Sequence, residues 1–150
     1  MAARVTATGR MSDPVALARD WIGTPYQHQT SIKHAGTDCL GLVIGVGREI
    51  GGRAPTLPAY TPDWAEVNGR ETLLDAASAY LSPVPNSEVQ PGDVLAFRLR
   101  PDLPVKHLGI LATPTTFIHA YQRRAVCESA FVPFWRRRHS HTFRFPELSP

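Results

Sequence analysis

Between Gly36 and Gly52 the chain passes from a polar loop, Gly36-Thr37-Asp38, into the apolar run Cys39-Leu-Gly-Leu-Val-Ile-Gly-Val-Gly-Arg-Glu-Ile50, closed by Gly51-Gly52. Leu42, Val43, Val46 and Ile50 recur at helical spacing, and the glycine pair is a helix stop. Inside a helix Gly41, Gly45 and Gly47 each cost up to about 1 kcal/mol relative to alanine. Something must therefore approach this helix closely, and a tightly packed sheet is the expected neighbour. Cys39 opens the helix, among unpaired backbone N–H groups and at the positive end of the helix dipole, which favour thiolate over thiol. The plain alternative is a small buried hydrophobe, the usual fate of a free cysteine.

A chain of 150 residues supports one core, and 43% apolar with 19% charged residues indicates a globular domain. The expected organisation is a mobile arm over 1–11 and a single domain over 12–150. Fourteen prolines, mostly after residue 50, promise many loops. The net charge of +3 is modest and partly concentrated in Arg136-Arg137-Arg138, so composition calls for no specific nucleic-acid partner. Cys39 and Cys127 are the only cysteines, too few for a disulfide framework. The first residues lack the apolar core of a secretory signal, and no run reaches membrane-spanning length. Synthesis in the cytoplasm without a signal peptide is the expectation.

Ser12-Asp13-Pro14 offers a cap with proline in the first turn, and Val15, Leu17, Ala18, Trp21 and Ile22 extend a helix until Gly23. Pro25 forces an extended turn at Thr24, and the polar, aperiodic segment from Gln27 to Thr37 reads as an exposed loop. A proline-rich loop over 53–63, a short helix near Trp64 and a helix over Glu71–Leu81 follow. After Pro83 come β-like runs at Val94–Leu99, His107–Ala112, Phe117–Tyr121, Ala125–Glu128 and Thr142–Phe145. Helices first and strands second predict an α+β fold with an antiparallel sheet.

A cysteine nucleophile needs a base, and the base needs a third group to orient it. Of six histidines, His28 and His34 fall in the polar loop and His139 and His141 in the basic tail, where solvated roles are expected. His107 and His119 flank one predicted hairpin. They share a face if the loop is odd, such as Thr113-Pro114-Thr115, and face opposite sides if the loop has two residues.

The blocks Trp21-Ile-Gly-Thr-Pro-Tyr26, Asp38-Cys39-Leu-Gly-Leu-Val43, Pro91-Gly-Asp-Val-Leu-Ala-Phe97, His107-Leu-Gly-Ile-Leu111 and Phe117-Ile-His-Ala120 resemble, in order and spacing, the NlpC-type cell-wall peptidases. These are papain-like cysteine hydrolases that cut the peptide stems of peptidoglycan. The resemblance covers roughly residues 12–140. It implies a papain-like fold with Cys39 as nucleophile, His107 as base and later acid, and His119 as the residue orienting His107. It also implies substrate-binding roles for Tyr26, near the developing oxyanion, and Asp38, toward a cationic amine, although Asp38 also reads as a helix cap. No cofactor is implied. Gln27–Lys33 and Pro133-Phe-Trp-Arg-Arg-Arg138 look most like the subgroup of tailed phages and gene transfer agents, implying tail-tip or baseplate partners and a place in the particle tail. Two departures stand out: Leu40 replaces the usual serine after the nucleophile, and His28-Gln29-Thr30 replaces the usual paired glycines.

Three other readings compete. A structural tail protein could keep the fold for docking through Phe134-Trp135 and the adjacent arginines. Zinc could be held by Cys39, His107 and His119, but no close-spaced ligand pair is present. Nucleic-acid binding through the basic tail lacks a motif or an aromatic platform.

Overall fold

The computed structural model describes residues 13–51, 71–121 and 124–146. Asp13 accepts a hydrogen bond from the Val15 N–H, Pro14 takes the first turn, and helix α1 runs Pro14–Arg19. The helix is shorter than its apolar pattern predicts, because residues 20–23 turn and end at Gly23, whose φ is 95°. Trp21 rides on this turn, buried, with its indole N–H donated to Glu49.

The segment expected to be an exposed loop is instead a small hairpin. Strands β1 (Ser31–Ile32) and β2 (Gly36–Thr37) pair antiparallel, and Gly36, Thr37 and Asp38 are buried. The segment folds back on residues 24–27: the Gln27 N–H donates to the Thr37 carbonyl, the Thr37 N–H to the Pro25 carbonyl and the His34 N–H to the Thr24 hydroxyl. These local bonds need no apolar periodicity, so the pattern that signals strands is absent.

Helix α2 spans Cys39–Ile50, capped by Asp38 and stopped at Gly51 in the left-handed region (φ 107°). Its glycines do admit close neighbours, but the sheet is not among them. A Cβ at Gly41 would collide with the Thr30 carbonyl, at Gly45 with the Trp21 ring and at Gly47 with the Tyr80 hydroxyl. The expected sheet contact falls on the other stripe of α2, where Leu42, Val43 and Val46 share an apolar cluster with Leu108 and Ile110.

Helix α3 (Thr72–Tyr80) leads to strand β3 (Ser82–Val84), a 3₁₀ turn at Asn86–Glu88, β4 (Val94–Phe97), β5 (His107–Thr113), β6 (Thr116–His119), β7 (Cys127–Ala130), the short helix α4 (Pro133–Arg136) and β8 (His139–Arg144). The six strands form one antiparallel sheet in the order β3-β8-β4-β5-β6-β7, as the α+β reading expects. Pro83 sits on the edge strand, where a missing N–H is tolerated. Strand β8 begins earlier than expected and takes the basic tail into the sheet. His139 and His141 are therefore half-buried rather than solvated, and the His139 ring lies 6.1 Å from that of Phe97.

Strand alternation gives the sheet two unlike faces. Val94, Ala96, Leu108, Ile110 and Ile118 pack with the helices, whereas Leu95, Phe97, Leu111 and Phe117 pack with Phe131 and Trp135 on the other side. The expected arm over 1–11 and the short helix near Trp64 lie outside the described residues.

Gly45→Ala tests the close approach to α2. Alanine is the better helix former, yet the substitution should destabilise by about 1–3 kcal/mol, because Trp21 must move to admit one methyl group. Urea unfolding should show a lower midpoint at unchanged slope.

Candidate active site

The start of α2 is held by one carboxylate. Asp38 is buried and accepts from the Gly41 N–H at 2.7 Å through Oδ1 and from the Gln29 N–H at 2.8 Å through Oδ2, with His28 Nδ1 3.9 Å away. Of the two roles expected for Asp38, the cap is the one this geometry displays: both oxygens turn inward to the backbone. Gln29 stands in the left-handed region (φ 61°), which glycine enters freely and glutamine does not. Glycine would take this conformation without strain, and the bond to Asp38 helps hold the glutamine in it. Leu40, in place of serine, is buried in the helix-side cluster.

Cys39 is partly exposed and packs against the same cluster. Its sulfur meets the backbone N–H groups of Leu108, Leu40 and Cys39 itself, which favour the thiolate. Burial and the Asp38 charge outweigh them and push the thiol up to about 12. The helix start thus favours the thiolate as expected, but burial and the Asp38 charge outweigh it. Tyr26 is half-buried beside it, and burial, together with negative charge on Cys39 and Asp38, pushes the phenol up to about 12. Tyr26 thus keeps its proton and can donate it in a hydrogen bond.

His107 and His119 meet in an unexpected way. The β5–β6 loop is the two-residue Pro114-Thr115, the length that should set the two histidines on opposite faces. However, Thr113 pairs with Thr116 while Leu111 pairs with Phe117, so Ala112 is an extra residue on β5. This bulge inverts the alternation and returns both histidines to the aromatic face. Nε2 of His107 lies 2.8 Å from Nδ1 of His119, and Nε2 of His119 lies 2.8 Å from the Ser129 hydroxyl.

Two proton assignments fit this chain, each the reverse of the other, with the Ser129 hydroxyl 3.5 Å from Cys127 Sγ; in one, His107 donates from Nε2, and His119 accepts at Nδ1 and donates from Nε2 to Ser129. His107 Nδ1 is then a lone-pair acceptor, and the thiol of Cys39 reaches the N–H of the next residue, Leu108. Phe97, Tyr121 and Trp135 surround the His107 ring at centroid distances of 5.8, 5.4 and 5.5 Å. Burial and the neighbouring His119 hold His107 well below the ordinary histidine value, and burial lowers His119 to about 4. The thiol thus meets the β5 backbone at Leu108, one residue along the strand from an imidazole whose Nε2 is tied to His119.

The structure thus brings Tyr26, Asp38 and Cys39 together on the helix side, with the hydrogen-bonded pair His107 and His119 on the aromatic face of the sheet. Sequence reasoning missed Ser129, because the expected strand ended at Glu128 and no register was known for β7. Trp135 was read as a docking aromatic, and its place against both histidines leaves no local signature. Among the described residues no group of three or more histidine, cysteine, aspartate or glutamate side chains is arranged to hold a metal.

Residues 23–144 match the NlpC/P60 family. The chain belongs to the NlpC/P60 family. Among solved structures, this NlpC/P60 domain is similar to the NlpC/P60 domain of the peptidoglycan hydrolase SagA, with TM-score 0.64, 21% identity, and coverage of 89% of this chain and 97% of that one. A Bacillus cereus NlpC/P60 family protein has TM-score 0.64 and 17% identity over 95% of this chain and 41% of its own. A Staphylococcus aureus protein similar to NLP/P60 lipoproteins has TM-score 0.59 and 20% identity over 89% of this chain and 40% of its own. At these identities the likeness concerns the fold, and the chain spans about two fifths of the latter two proteins. No curated protein matches the sequence.

The lowered histidine pKa values fix a sign for acid stability. Below the ordinary value near 6.5 the unfolded chain takes protons that the folded imidazoles refuse, so stability falls as pH drops from about 6.5 toward about 4. Each such imidazole contributes a slope of up to about 1.4 kcal/mol per pH unit. Urea titrations between these limits should show a shallower pH slope for His119→Asn than for the wild type.

Proposed function

We propose that this NlpC/P60 domain is a cysteine peptidase hydrolysing amide bonds in peptidoglycan stem peptides. The observation that carries the proposal is the meeting of Cys39, at the start of α2, with the β5 backbone beside a histidine whose far nitrogen is already occupied by His119. Membership of a family of cysteine peptidases acting on peptidoglycan supports it, as do similar folds in proteins described as peptidoglycan hydrolases, SagA and RipB of Mycobacterium tuberculosis.

The reaction starts from the neutral pair. The Cys39 proton passes to Nδ1 of His107 as sulfur attacks the amide carbonyl carbon, and His119 stabilises the imidazolium through the bond at Nε2. Backbone N–H groups at the helix start and the Tyr26 hydroxyl are the available donors for the oxyanion. Collapse of the tetrahedral species breaks the C–N bond, and His107 returns the proton to the leaving amine. Water deprotonated by His107 then cleaves the thioester and restores the thiol. Ser129 acts through His119 as a positioning residue.

The place of action is a phage-like or gene-transfer-agent tail tip, where local opening of the wall aids DNA delivery. This part rests on the resemblance of Gln27–Lys33 and Pro133–Arg138 to that subgroup, and absence of the protein from purified particles defeats it. Docking with little or gated hydrolysis is the second reading, favoured by exposed Val132 and Phe134 on and beside α4.

Two measurements test the chemistry. Wild-type protein should release stem fragments from purified peptidoglycan, read by mass spectrometry, and Cys39→Ala should lower the rate by at least about a thousandfold. Intact wall with a Cys39 that still alkylates favours the docking reading. Ser129→Ala should lower kcat about fivefold with little change in KM, as loss of one hydrogen bond of about 1 kcal/mol requires, and Ser129→Thr should recover part of it.

A further inference from the structure

Where β4 ends and β8 begins, the residues after Phe97 and those after Arg136 enclose an open groove of about 640 Å³. Its walls carry Arg98, Arg100, Arg137, Arg138 and His139. Among the described residues Glu71 pairs with Arg98, and Asp102 takes two bonds from Arg100, from Nε at 3.3 Å and from Nη2 at 2.9 Å, on a largely exposed rim. Arg98 and Arg138 are structural. Arg98 also donates to the Leu103 carbonyl, while Arg138 donates to the Leu99 and Phe134 carbonyls and lies over the Phe134 ring at 3.7 Å. They hold the two walls together, and Arg100 and Arg137 stand exposed at the mouth. Burial holds His139 below the ordinary histidine value, and the charges of His141 and Arg136 add to that in smaller part.

The position of the groove relates it to the reaction centre. Phe97 pairs with His107 on one side and with His139 on the other, so His139 stands two strands from His107 at the same end of the sheet. Two strand spacings are roughly 10 Å, which an extended peptide spans in about three residues. Guanidinium groups match carboxylates geometrically, often through two parallel N–H···O bonds, and peptidoglycan stem peptides carry free carboxylates. We infer that the groove between the β4 end and the β8 start is a subsite for a carboxylate of the stem peptide, bound by Arg100 and Arg137 while the scissile amide lies at Cys39. The inference rests on the peptidase reading and adds a specificity: acidic stems over amidated ones.

The test is a calorimetric titration of the Cys39→Ala protein with two soluble stem tetrapeptides, one with free carboxylates and one fully amidated. The expected result is at least tenfold tighter binding of the acid form, weakening with added salt. That preference should fall to less than threefold in the Arg100→Gln/Arg137→Gln protein, with its thermal midpoint checked separately. Equal affinity for the two peptides, or no binding of either, overturns the inference. Tighter binding of a single-stranded oligonucleotide than of the acid peptide also overturns it, in favour of a nucleic-acid surface. Acid-selective, arginine-dependent binding by a protein whose wild-type form leaves peptidoglycan intact supports the groove and defeats the peptidase reading.

Discussion

The Asp38 carboxylate holds the start of α2 in place and, with it, Cys39. A buried charge requires strong donors, and the N–H groups of Gly41 and Gln29 are among those that Asp38 meets. The same bonds fold the 27–30 segment over the helix, where Gly41 leaves room for the Thr30 carbonyl. This anchoring has an electrostatic cost. The charge that fixes the helix start also disfavours a second negative charge on the neighbouring sulfur. The dipole and N–H groups of a helix start thus do not determine ionisation here, because desolvation and a carboxylate act against them.

The two faces of the sheet divide the labour. The helix side is aliphatic and carries Cys39, whereas the other side is aromatic and carries His107 and His119. Trp135, Tyr121 and Phe97 form a low-dielectric surround in which neutral imidazole is favoured and hydrogen bonds between ring nitrogens are strengthened. Cys39 meets the start of β5, where its thiol reaches the Leu108 N–H.

Legibility in the sequence followed the reach of each signal. The Asp13 and Asp38 caps, the Gly51 stop and the alternating strands are local and could be read directly. The β1–β2 hairpin could not, because backbone bonds to residues 24–27 hold it and its polarity resembles that of a loop. His139 reads as solvated because it follows a run of arginines; its burial depends on β8 pairing with β4, a long-range fact. The candidate nucleophile and histidines were legible as residue types in family-like blocks, but Ser129 required the β6–β7 register, in which Phe117 faces Ser129.

The bulge at Ala112 has a consequence for how such a chain can vary. Exposed hairpin tips ordinarily accept insertions and deletions of any length. Here the tip and the bulge together count residues, and only their sum decides which side His119 faces. A single-residue gain or loss at Pro114-Thr115 would disconnect His119 from His107 without touching either, whereas a gain of two leaves the pairing intact. Length variation in this hairpin should therefore occur in even steps, or in odd steps compensated by loss of the bulge, so that a solvent-exposed turn carries a constraint set by the hydrogen bond at the other end of its strands.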